Sequence, residues 1–146
     1  ETANGNVVFQ NTANGNTGNW IGVYSNVVGP VTGNAVVGNT VKNNGNAQTQ
    51  FGGHGISASG VGKDGTHISK NNVFIGNAGS GNKNGDWSSG GPTKTSGDYW
   101  AHNTPKVSFS TSKSPAPGVL EAAKSTMSAV GVPQAEIDAF ARAVGS

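Results

Sequence analysis

NVVFQN, residues 6–11, returns as NTVKNN at residues 39–44 and as NVFIGN at residues 72–77, so that each copy begins 33 residues after the last. The register extends past the hexamers: Val28-Gly29 falls on Val61-Gly62, Gly22-Val23 on Gly55-Ile56, and Ala35 on Ile68. A fixed period of roughly 20 to 50 residues marks a stacked array in which each repeat buries its apolar face against its neighbour. The apolar segments are short, β-branched and bounded by Asn and Gly, which specifies strands of about four to six residues rather than helices.

Equivalent strands one period apart in a single chain must pair in parallel, and a solenoid of 33-residue coils satisfies this. Val8, Val41 and Phe74 are then expected to stack inside, as are Val23 and Ile56. Asn11, Asn44 and Asn77 close their strands, where asparagine tolerates a left-handed corner and stacked amides can bond along the axis.

Composition agrees with a thin, regular core. Of 146 residues, 24 are glycine, 33% are hydrophobic and 11% are charged, which argues against a helical bundle or a charged disordered tail. The net charge is +2, and Lys42, Lys63, Lys70, Lys83, Lys94 and Lys106 are scattered without forming a basic stripe, which argues against nucleic-acid binding. No run of about 18 apolar residues points to a membrane span. The absence of cysteine removes disulfides and thiolate metal sites from consideration.

The period fails near Gly90. Residues 91–116, rich in Ser, Thr, Gly and Pro, read as an irregular strap folded along the scaffold and anchored by Tyr99 and Trp100. Residues 117–146 read as two helices. One carries Leu120, Ala123, Met127 and Val130 at helical spacing; the other begins at Pro133 and carries Ile137, Phe140, Ala141 and Val144. Helices this short need a surface, so they are expected to cap the open end of the coils or to pack along their side.

The segments GNAVVGNTVKNNG and GTHISKNNVFIGNAG resemble coils of right-handed parallel β-helix proteins of the pectin lyase-like superfamily. The resemblance implies an all-β, right-handed parallel β-helix over residues 1–90, a secreted or cell-surface location and a polysaccharide partner. Lyases, polygalacturonases, tailspikes and adhesins share this fold, so the fold leaves the activity open.

GGHGIS, residues 52–57, resembles the polygalacturonase Gly-His-Gly segment, and on that resemblance His54 is a candidate catalytic residue. Alternation with Ile56 and Ala58 gives the same histidine a semi-buried structural place. Glycoside hydrolysis uses two flanking carboxyl groups, whereas no Asp or Glu lies between Thr2 and Lys63. A lyase needs a base and a cation near a uronic carboxylate, for which Lys63, His67, Lys70 and Tyr24 are outer-face candidates. The histidines have no metal-ligand spacing, and no metal or other cofactor is expected.

The parity of Val23 turns Trp20 and Tyr24 outward, and with Asp86 and Trp87 they are expected to form an apolar shelf suited to sugar rings. Two functions follow. The chain is the C-terminal part of a carbohydrate-active β-helix enzyme, a lyase or glycoside hydrolase whose catalytic residues lie mainly on upstream coils. Alternatively it is a non-catalytic structural or adhesive β-helix, such as a tailspike or surface-protein segment. An open first strand further predicts an upstream β-helix polypeptide, cleaved or separate, or a homo-oligomer.

Overall fold

A computed structural model describes residues 4–18, 20–25, 29–45, 53–60, 68–90 and 95–145. Among them the chain passes through four parallel sheets in the same order, again and again. Sheet A stacks β1 (Val7–Phe9), β5 (Ala35–Val37), β9 (Val73–Ile75) and β13 (Tyr99–Ala101). Sheet B holds β2 (Thr12–Asn14), β6 (Thr40–Lys42) and β10 (Ala78–Ser80), and sheet C holds β3 (Ile21–Ser25), β7 (Ile56–Gly60) and β11 (Trp87–Ser89). Sheet D completes the set with β4 (Val31–Thr32), β8 (Ser69–Lys70) and β12 (Thr95–Ser96). The architecture is mostly β, all-parallel and solenoid-like, followed by two helices, and is consistent with a parallel β-helix.

The stacking is real but its register differs from the uniform 33-residue period. Val7 pairs with Ala35 and Ala35 with Val73, so NVVFQN lies on NAVVGN at residues 34–39, not on NTVKNN. The steps are 28 and then 38 residues, whose mean is 33. The reason is an internal five-residue spacing: Asn34, Asn39 and Asn44 follow one another like Asn6, Asn11 and Asn16. A slide of five residues therefore puts Asn39 where Asn34 belongs. Correspondingly, Val8 stacks with Val36, Phe74 and Trp100, while Val41 lies in sheet B between Ala13 and Gly79. Val23 pairs with Ala58, and Ile56 pairs with Ile21.

The corners also differ from expectation. The left-handed residue is the one before the stacked asparagine: Gln10, Gly38, Gly76 and His102 have φ of 53, 64, 63 and 55°. Asn11, Asn39, Asn77 and Asn103 follow them. The left-handed step turns the chain and releases the next amide to point along the stack.

Two cores result. The inner one gathers Ile21, Val23, Val31, Val36, Val41, Ile56, Ala58, Phe74 and Trp100 from all four sheets. The Phe74 and Trp100 rings stack at 3.9 Å and 11°. The outer one joins the other face of sheet A to α1 (Val119–Ala129) and α2 (Gln134–Gly145), through Val37, Val73, Ile75, Met127, Ile137 and Phe140. The helices thus pack along the side of the stack. The end beyond β13 is covered instead by the strap, where Val107 and Phe109 meet the inner core and Phe109 stands edge-on to Trp100 at 5.2 Å. Because β11, β12 and β13 continue sheets C, D and A, the stacking runs past residue 90 and takes in Tyr99 and Trp100 as strand residues.

Candidate functional site

Three ladders of asparagine run the length of the stack. In the first, the backbone N–H and Nδ2 of Asn6 donate to Oδ1 of Asn34 at 2.9 and 3.0 Å, and Asn34 donates in the same way to Asn72. Asn72 then donates through both groups to Oδ1 of Asp98, at 2.8 and 3.0 Å. The second ladder is Asn11, Asn39, Asn77 and Asn103; the third is Asn16, Asn44 and Asn82. Several inner amides have a further tie, as when Asn39 donates to the Val8 carbonyl and Asn77 to the Val36 carbonyl. A buried amide with every polar atom bonded is stabilising, because it leaves no desolvated donor or acceptor unpaired.

Among the described residues, both carboxylates placed among the strands, Asp86 and Asp98, belong to these ladders. Asp98, only 6% exposed, accepts from Asn72 and from the Ser69 hydroxyl at 2.6 Å. Burial pushes its carboxyl above the ordinary value of 3.8, outweighing the bonds from Ser69 and Asn72 that pull it down. Asp86 accepts from Nδ2 of Asn82 at 2.6 Å, and its main-chain carbonyl accepts from the Ile56 N–H.

The shelf expected from Trp20, Tyr24, Asp86 and Trp87 does not assemble. Tyr24 is exposed, at 46%, with its ring lying over Gly22. Trp87, however, is in register with Ile56 and so with Ile21, which puts it on the inward face of sheet C, opposite Tyr24. Trp87 packs on the inner core, tilted against Trp100, and its indole N–H donates to the Pro105 carbonyl. Trp20 is half-buried against the same core. Parity failed for Trp20 because it precedes the strand, where alternation no longer governs direction.

His54 stands one residue before Gly55, half-buried, with Nδ1 shielded from solvent on the side facing Gly85. It lies two residues before Ile56, the first residue of β7, and so outside the strand whose alternation was expected to place it. Lys63 and His67 lie outside the described residues. His102 is one of the left-handed corner residues, and Lys70 is exposed at the end of β8. Among the described residues, no three His, Asp or Glu side chains gather as a metal site.

Sequence reasoning missed Asp98 as a ladder member. The signal was present: Asp98 and Asn103 keep the five-residue spacing of Asn72 and Asn77. No protein-family model, curated protein or solved structure matches the chain.

Proposed function

We propose that the chain is a stretch of right-handed parallel β-helix, of the pectin lyase-like kind, that serves outside the cell as a rigid structural and adhesive element for a polysaccharide. The observation that carries this reading is the use made of the scaffold acids among the described residues: Asp98 and Asp86 are both held as acceptors for ladder asparagines. A carboxylate fixed in that way supports stacking, and both would have to leave their bonds to serve as general acid and base. Tyr24 supports the adhesive part. Its exposed ring lies over Gly22 and the residue is in register with Ser59, an apolar group beside a hydroxyl, which suits the face of a sugar ring.

The test is incubation of the chain with acidic and neutral polysaccharides, following new reducing ends, unsaturated-uronate absorbance and retention in affinity electrophoresis. Retardation by at least one glycan, lost in Tyr24→Ala and without turnover, is the expected result. Release of reducing ends or unsaturated uronate by the chain alone overturns it in favour of a hydrolase or lyase.

A further inference from the structure

The two ends of the stack are chemically different. At the β13 end the strap satisfies the edge: the Trp100 N–H donates to the Thr111 hydroxyl and the Ser112 N–H donates to the Asp98 carbonyl. The first ladder stops there on a carboxylate, which accepts but cannot donate as an amide would. At the β1 end the ladders are open. Among the described residues no donor reaches Oδ1 of Asn6, Asn11 or Asn16, although the corresponding oxygens of Asn34, Asn39 and Asn44 each accept two bonds. Asn6 and Asn11 are exposed, whereas Asn39 and Asn77 are 0% and 1% exposed.

The apolar interior is open at the same place. Val8, Ile21, Val23 and Val31 line a cleft of about 190 Å³ there, with Val36 at its floor. Val8 is only half-buried, while its stacking partners Val36 and Phe74 are fully buried. The edge thus combines an apolar centre with three aligned acceptors five residues apart.

We propose that the β1–β4 edge is a docking surface for a parallel rung of polypeptide bearing asparagines at five-residue spacing, whose main-chain and side-chain amides donate to Asn6, Asn11 and Asn16. Each ladder oxygen takes its two bonds from one residue, the N–H and the Nδ2 of the same asparagine, which requires a parallel strand in register. A second copy of this chain does not supply that. Meeting through the same edge about a two-fold axis, its β1 would run antiparallel. Meeting through its β13 end, it would offer the covered edge and the Asp98 carboxylate. Ladder polarity therefore makes the occupant a donor rung with the same stacking sense as this chain, whatever glycan the protein binds.

The probe is a synthetic peptide with the sequence of residues 33–45, GNAVVGNTVKNNG, which is this chain's own donor rung, titrated into the full chain and followed by nitrogen-15 NMR. The expected result is a saturable shift of the Asn6, Asn11 and Asn16 side-chain amides together with β1. A peptide carrying Asn34→Asp, Asn39→Asp and Asn44→Asp, isosteric but without the side-chain donors, should bind at least about tenfold more weakly. Equal binding of the two peptides, shifts confined to residues 105–112, or no shift at millimolar peptide overturns the proposal. So does a concentration-dependent dimer, by sedimentation, that protects β1 from exchange. None of these outcomes depends on polysaccharide binding.

Discussion

The connections divide the stack into a constant half and a variable half. From sheet D to sheet A the chain always takes four residues, Val31 to Ala35, Ser69 to Val73 and Thr95 to Tyr99. From sheet A to sheet B it always takes five, Val7 to Thr12, Ala35 to Thr40 and Val73 to Ala78. From sheet B to sheet C the step is 9, 16 and 9 residues, and from C to D it is 10, 13 and 8. The constant half holds the ladders that begin at Asn6 and Asn11, and its sheet A is buried on both faces between the inner core and the helices. The variable half carries Tyr24 and Ser57 on its outer face. Stability should therefore be concentrated on one side and freedom of sequence on the other.

The largest effect belongs at the centre of the constant half. Phe74→Ala removes a fully buried ring stacked on Trp100 and should cost about 4 kcal/mol in a urea melt. A loss under about 1 kcal/mol would show that sheet A is not the stable element. Phe140→Ala strikes the outer core, where the ring stands edge-on to Phe9 at 5.5 Å and is fully buried. It should cost about 3 kcal/mol and release the helices first, seen as early loss of helical circular dichroism ahead of the β signal.

Asn77→Ala isolates the ladder. The amide donates to Asn103 and to the Val36 carbonyl and accepts from Asn39, so its removal leaves buried partners unpaired and should cost about 2 kcal/mol. The equivalent change at exposed Asn11 should cost less than half as much. Ser57→Ala is the matching change in the variable half and should have the opposite sign. Its hydroxyl is buried, at 2% exposure, with no hydrogen-bond partner among the described residues, so removal should stabilise by about 1 kcal/mol. Destabilisation there would reveal a polar bond in solution and remove the contrast between the halves.

The smallest test concerns pH. The Asp98 carboxyl is raised by burial, so the folded chain holds its proton more tightly than the unfolded chain does. Its contribution is full below the ordinary value of 3.8 and falls as pH rises from there, until the folded group has ionised too. Asp98→Asn restores the residue used on the other rungs, keeps an oxygen for Asn72, and should flatten that part of the pH–stability curve. An unchanged curve would show that Asp98 does not titrate differently in the two states.

Much of this was legible in the sequence, for definable reasons. VVF, AVV and VFI are unbroken apolar runs because sheet A is buried on both faces, and such runs marked parallel strands directly. The helices were legible from Ala123, Met127, Ile137 and Phe140 at helical spacing. The register was not, because Asn34 and Asn39 are equally good matches to Asn6 by residue type. Only the pairing of Ala35 with both Val7 and Val73 resolves them. Trp87 escaped for a related reason. Its face depends on being in register with Ile56, across connections whose lengths differ from coil to coil. The exposed Tyr24 was legible because it lies within a regular strand whose alternation holds from Ile21 to Ser25.

The 16-residue passage from Thr40 to Ile56 has an engineering consequence. It is seven residues longer than its counterparts, yet Val73 still follows Ser69 by four and Ala78 still follows Val73 by five. A guest sequence spliced into the shorter Ala78-to-Trp87 passage should leave the amide columns on the other side undisturbed. The molecule is in that sense a rack with one fixed rail and one adjustable rail, and cargo of different lengths can be hung from the adjustable one.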